Sequence, residues 1–127
     1  MKIQYHWQLE VYKMSVESAI IIFEQTKKFP KEETYSLTDQ IRRSSRSVSA
    51  NIAEAWRRRR YKKAFIDKLN ISESEAAETQ VWIEYSIKCN YLERELGKQL
   101  HKNYDNIIGK LIIMENNPSP WILQKEK

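Results

Sequence analysis

Guanidinium groups are the most conspicuous chemistry in this sequence. Arg42, Arg43 and Arg46 precede an unbroken run, Arg57-Arg58-Arg59-Arg60, which Lys62 and Lys63 then extend. Arginine presents a planar fork of N–H donors that matches phosphate oxygens and keeps its charge at physiological pH. Trp56 and Tyr61 flank the run and offer aromatic faces on which unpaired bases can stack. The charge is also concentrated. The whole chain carries 22 basic and 17 acidic residues, a net of +5. Within residues 42–63, however, nine cations face Glu54 alone, while the segments on either side are slightly acidic. A local patch of this kind attracts polyanions far better than the same charge spread out.

Two plainer readings compete. Positive residues at a helix C-terminus favour the macrodipole, and a charge run is often a solvated face. The cations can also pair with carboxylates of their own protein or a neighbouring copy, with Glu73, Glu75, Glu78 and Glu84 as candidates. Capping one helix takes far fewer cations than are present. Glu75 and Glu78 therefore read as structural partners for the basic residues before them. Asn51 and Glu54 sit at the edge of an apolar seam, where polar groups hydrogen-bond a neighbouring helix and fix its register.

Catalytic patterns are missing. Di-metal bundles use inward glutamates with two Glu-x-x-His motifs; here the histidines are His6 and His101, preceded at that spacing by Ile3 and Lys98. One cysteine, Cys89, cannot build a zinc site, and it reads as a small buried hydrophobe. With only Gly97 and Gly109, no glycine-rich phosphate loop is possible. The expectation is a protein that is not an enzyme and has no metal or cofactor. A lone cysteine also excludes an internal disulfide framework and suits a reducing, cytoplasmic location. No apolar run approaches the ~18 residues of a spanning helix, and the first residues lack a signal-peptide core.

The elements that would carry these residues are helical. A length of 127 residues fits one domain, 1–127, and two glycines and three prolines are too few for a turn-rich β fold. Apolar residues recur at three- and four-residue spacing in four segments. The first holds Leu9, Tyr12, Val16, Ala19, Ile20 and Phe23, ending near Phe29-Pro30; the second holds Leu37, Ile41, Val48, Ile52 and Ala55, starting near Ser36 or Thr38. The third carries Phe65, Leu69, Ser72, Ala76, Thr79, Ile83 and Ile87; the fourth carries Leu92, Leu96, Leu100, Tyr104, Ile107, Leu111 and Met114. Residues 116–127 read as an irregular tail. The expected fold is all-α, an antiparallel up-down-up-down four-helix bundle. Isoleucines 21, 22, 108, 112 and 113 fall outside the main stripes, which points to a second buried surface and self-association.

On a wheel of the second helix with Ile41 at zero, the apolar residues lie within about 40°, while Arg42, Arg46, Arg57 and Arg43 lie at roughly 100–200°. Continued unchanged, the helix would return Arg59 to about 0°, inside the seam. Burying an unpaired guanidinium there is costly. The helix is therefore expected to bend, fray or end around Arg57–Arg60, leaving a basic corner.

The run Gln40-Ile41-Arg42-Arg43-Ser44-Ser45-Arg46-Ser47-Val48, then Asn51-Ile52-Ala53-Glu54-Ala55-Trp56 and Arg59-Arg60-Tyr61, resembles the signature of the small bacterial four helix bundle proteins, also called ribosomal-RNA intervening-sequence proteins. The likeness continues through Phe65-Ile66, Lys68-Leu69 and Glu75-Ala76-Ala77-Glu78-Thr79-Gln80, with Trp82-Ile83-Glu84, and covers most of residues 7–92. Ala55 departs from it, since many members have glycine there, and favours a longer second helix. The family is similar to the accessory variability protein of diversity-generating retroelements, a basic pentameric barrel that binds nucleic acid and a reverse transcriptase. The resemblance thus implies a homopentamer with its arginines repeated around a ring. The expected function is non-enzymatic binding of RNA or DNA through phosphate contacts by Arg42, Arg43, Arg46, Arg57, Arg58, Arg59, Arg60, Lys62 and Lys63. The alternative is a protein-interaction scaffold, such as an accessory subunit for a reverse transcriptase.

Overall fold

Helix boundaries follow from local chemistry. In the computed structural model, which describes residues 2–123, the helices are α1 (Glu10–Thr26), α2 (Leu37–Trp56), α3 (Lys62–Lys88) and α4 (Arg94–Asn116). Short 3-10 turns at His6–Gln8 and Lys31–Glu33 precede α1 and α2. α1 stops three residues before Phe29, because the residue before a proline is pushed away from helical angles. Ser36 occupies the N-cap of α2, but its hydroxyl donates to Glu33 Oε1 (2.6 Å), and the same carboxylate takes the Leu37 amide (3.2 Å). The Ser36 hydroxyl foremost, then the Leu37 amide and the Tyr91 hydroxyl, hold the Glu33 carboxyl below the usual carboxylate range.

Asn90 ends α3 in the left-handed region (φ 62°), a conformation asparagine tolerates better than most residues. The Tyr91 and Leu92 amides then return to the Ser86 carbonyl (2.9 and 3.1 Å). Glu93 caps α4 by accepting the Leu96 amide (2.9 Å), so the helix begins at Arg94 rather than at Leu92. Leu92 is nonetheless buried, as the periodicity required.

Short links join α2 to α3 and α3 to α4, which makes each pair antiparallel neighbours. α2 packs against α1 and α3, and α4 closes the bundle against both α3 and α1. The result is an all-α, antiparallel four-helix bundle; no strand occurs among the described residues. No helix among them is long and apolar enough to cross a membrane. Beyond Asn116 the chain is irregular to Leu123, and the rest of the tail, 124–127, lies outside the described residues.

The core seams of α2, α3 and α4 fall where the periodicity places them, with Ser86 joining the α3 seam and with Ile87 and Leu96 only half-buried. The first helix differs. Its buried residues are Val11, Ser15, Ser18, Ile22 and Thr26, whereas Ile20 is 55% exposed and Val16, Ala19 and Phe23 are only partly covered. The cause is hydroxyl chemistry. Ser15 donates to the Tyr12 carbonyl (2.7 Å) and meets the Ser49 hydroxyl of α2 at 2.8 Å. Small residues let the two backbones approach, so α1 turns its serines inward and its bulkier stripe outward. Ile22, expected outside the stripe, belongs to the core.

The α2–α3 contact uses the same device. The Ser72 hydroxyl donates to the Val48 carbonyl across the interface (2.8 Å). Thr79 donates to the Glu75 carbonyl (2.8 Å), and its oxygen lies 2.8 Å from the Ser44 hydroxyl. Ser44, Ser72 and Thr79 each find a hydrogen-bond partner in this seam, as burial demands. Because the seam fixes how closely and at what rotation α2 meets its neighbours, it also fixes where the arginines point. Ser72→Leu should overpack the seam and lower stability by about 1–3 kcal/mol, read as a reduced urea midpoint. Ser72→Ala should cost less, since it removes only the hydrogen bond.

Candidate nucleic-acid interface

The basic corner is built by the end of α2. The helix stops at Trp56, one residue after Ala55, and residues 57–61 turn toward α3. Arg59 does not enter the seam. Its Nε donates to the Trp56 carbonyl (2.8 Å), and its guanidinium lies over the Trp56 ring at 3.6 Å from the centroid. One side chain thus satisfies a carbonyl at the helix end and rests its cation on an aromatic face. Burial first, and then the neighbouring Arg57 charge, lower the Arg59 pKa, yet a guanidinium in a protein stays charged. Trp56 is itself fixed: its Nε1 donates to the Gln4 carbonyl (3.1 Å), and Trp121 of the tail meets it edge-on at 6.0 Å. The Leu123 amide donates to the Arg59 carbonyl (3.0 Å), so the tail seals the corner from behind.

Around this anchor Arg57, Arg58, Arg60 and Lys62 are exposed, and none makes an ion pair among the described residues. Lys63 pairs with Asp67 one turn along α3 (2.9 Å) at an exposed position, where such a pair is weak. A cavity of about 340 Å³ opens between Trp56, Arg57, Arg59, Arg60, Tyr61 and Leu123.

The arginines of the helix proper divide. Arg42 and Arg46 lie toward α1, their guanidinium carbons 4.9 and 5.7 Å from the Phe23 ring centroid, and Arg42 Nε donates to Thr26 Oγ1 (2.8 Å). Arg43 turns the other way. It pairs with Glu75 (3.2 Å) and Glu78 of α3, and the hydrogen bond to Glu78 is the main reason its pKa is raised. Glu78 also accepts the Trp82 indole N–H (3.0 Å). Arg43 is therefore engaged in an α2–α3 brace, as the ion-pairing reading of Glu75 and Glu78 anticipated.

The remaining polar candidates are structural, with corrections. Asn51 bonds its own helix, donating to the Ser47 carbonyl and hydroxyl (2.9 and 3.0 Å), rather than a neighbouring one. Four residues separate the two, so Ser47 is the nearest partner on that face. Glu54 does reach across, to Lys68 of α3 (2.7 Å), and that hydrogen bond chiefly lowers its pKa. Glu84 faces His101 of α4 (2.9 Å), and Glu73 accepts from Asn70 (3.3 Å), so neither meets an arginine. Cys89 is exposed rather than buried, because it follows the last turn of α3 in the link to α4. Phe23, Trp121 and Leu123 were not legible as parts of the basic region. No spacing rule relates them to it, and only the tertiary fold brings them there. Among the described residues no group of three or more His, Cys, Asp or Glu side chains could hold a metal ion.

Comparison with known families now bears on the chain. The model of the 23S rRNA-intervening sequence protein matches residues 7–113, from just before α1 to near the end of α4. The chain belongs to the 23S rRNA-intervening sequence protein family. A solved structure from Bacteroides thetaiotaomicron, described as a protein of unknown function from the S23 ribosomal protein family, is similar to it at 33% identity. That likeness has a TM-score of 0.75 and spans 84% of this chain and 96% of that one. No curated protein matches the sequence. In this intervening-sequence protein the matched region includes the whole arginine corner but not the tail that seals it.

The geometry separates a structural arginine from the surface ones. Arg59→Ala should destabilise the fold by about 0.5–2 kcal/mol, through the lost cation–π contact and carbonyl bond. It should also shift tryptophan emission as Trp56 gains water. Arg57→Ala should stay within about 0.5 kcal/mol of the parent. Urea unfolding followed by tryptophan fluorescence checks both.

Proposed function

We propose that this protein binds RNA or DNA through phosphate contacts at the α2–α3 corner, without catalysing a reaction. The observation that carries the reading is the cluster of Arg57, Arg58, Arg60 and Lys62. These are exposed cations on a turn fastened by Arg59, and none forms an ion pair among the described residues; Arg58 alone has a carboxylate, Glu54, close enough to feel its charge. Arg42 and Arg46 extend the cationic strip along α2. From Arg46 to Arg57 the helix rises about 16 Å at ~1.5 Å per residue. Each strand of a duplex presents a phosphate about every 3.4 Å of its axis, so a strip laid along that axis spans roughly five of them on one strand. Binding is driven by release of the counterions that those phosphates condense, and it reads backbone rather than base sequence.

Assembly of several copies belongs to the same reading. The outward stripe of α1, with Val16, Ala19, Ile20 and Phe23, forms an open apolar groove beside Arg46 and Ser49, and Ile113 of α4 is also exposed. Packing copies through such surfaces into a ring, five by the resemblance to the retroelement accessory protein, would repeat the corner around the assembly. Weak phosphate contacts would then add through avidity.

Fluorescence anisotropy with a generic RNA tests this. With six or more phosphates engaged across the assembly, affinity should fall by orders of magnitude between ~50 and ~200 mM salt. Replacing Arg57, Arg58 and Arg60 with alanine, while keeping Arg59, should weaken binding and lower the salt slope by about one per arginine. Helicity by circular dichroism should stay intact. A flat salt response, or unchanged binding in the triple variant, contradicts the reading.

A further inference from the structure

Resting on that reading, we infer that the cavity at the α2–α3 corner is a subsite for one unpaired nucleotide, which makes the protein prefer single-stranded nucleic acid to duplex. Its volume, about 340 Å³, is at the small end of ligand sites and suits a single nucleotide unit. The platform inside is a guanidinium rather than an indole. Trp56 is only 3% exposed, and Arg59 covers one of its faces at 3.6 Å. The Arg59 plane is held at two points, the ring beneath it and the Nε bond to the Trp56 carbonyl, while the Leu123 amide anchors the residue's backbone through its carbonyl. Guanidinium planes stack on exposed bases as aromatic rings do, and a plane already fixed loses little entropy on binding.

Tyr61 supplies the second surface. It lines the same cavity, is 57% exposed, and stacks on no other ring among the described residues. An aromatic ring left in water beside a cationic plane is what a base needs for stacking. Arg57 and Arg60 line the same cavity and are exposed, so their guanidinium groups are open to the phosphates of an inserted nucleotide. A duplex offers its backbone to the same groups, but its bases are already stacked on their neighbours and cannot enter. The outer arginines therefore serve both forms of nucleic acid, while the Arg59–Tyr61 cavity serves only the unpaired one.

The test is anisotropy at one salt concentration with a labelled strand of roughly 12 nucleotides, within the usual site range, and with its blunt duplex, using the full chain. The single strand should bind several-fold more tightly. Tyr61→Ala should weaken single-strand binding about tenfold, the scale of one lost stacking contact. Its salt slope should not change, because no phosphate contact is removed. Tyr61→Phe should bind like the parent, and the duplex should be indifferent to both variants. Circular dichroism verifies that each variant keeps its helices. Equal affinity for the two forms, or a Tyr61→Ala variant that binds the single strand normally, overturns the subsite while leaving phosphate binding in place. Absence of salt-sensitive binding to either form removes the underlying reading and the subsite together.

Discussion

An unpaired guanidinium cannot be drawn into an apolar seam without a desolvation cost of several kcal/mol, and this constraint shapes the functional end of the molecule. α2 brings Ile41, Val48, Ile52 and Ala55 into the core in regular succession, and the next position on that face is Arg59. The helix ends before the charge would be buried. Arg59 then turns back on the last carbonyl and on Trp56, converting an obstacle to packing into the fastening of the turn. The neighbouring arginines follow it out of the helix and face water. Ala55 by propensity favours a longer helix, yet α2 ends one residue later, at Trp56.

The other basic residues are sorted by what lies beside them. Arg43 meets Glu75 and Glu78, because the hydroxyl seam sets α2 against α3 at that rotation, and it is taken up in a brace. Arg42 and Arg46 pair with no carboxylate among the described residues and settle over Phe23, a soft attraction that leaves most of their donors available. At the corner Arg57, Arg60 and Lys62 have neither partner among the described residues. A uniform charge run in the sequence thus becomes three environments, and only the cations without a carboxylate are suited to an external polyanion.

Much of this was legible before folding, and the exceptions have physical causes. The seams of α2, α3 and α4 follow the spacing because bulky apolar residues recur regularly enough to mark them, and Ser72, Ala76 and Thr79 fall on positions which that register already assigns. α1 does not, since Ser15 and Ser18 contribute close approach, and Ser15 hydrogen bonds, rather than apolar area, and a hydrophobicity pattern gives them no weight. The breaking point of α2 could be read from the wheel, because it arises from one residue's charge on one helix. The role of Trp121 and Leu123 could not, because it depends on where the tail returns after α4. Asn51 keeps a structural role but bonds Ser47, one turn back on its own helix, a partner that apolar spacing does not single out.

Arginine side-chain NMR observes the decisive groups individually. In spectra of the Nε–Hε resonances titrated with a short RNA, the signals of Arg57, Arg58 and Arg60 should move progressively, with the shifts reversed by added salt. Arg43, held by Glu75 and Glu78, should stay in place. Movement of Arg43 alone, or no movement at the corner under conditions where RNA binds, would show that the open guanidinium cluster is not where this protein meets a polyanion.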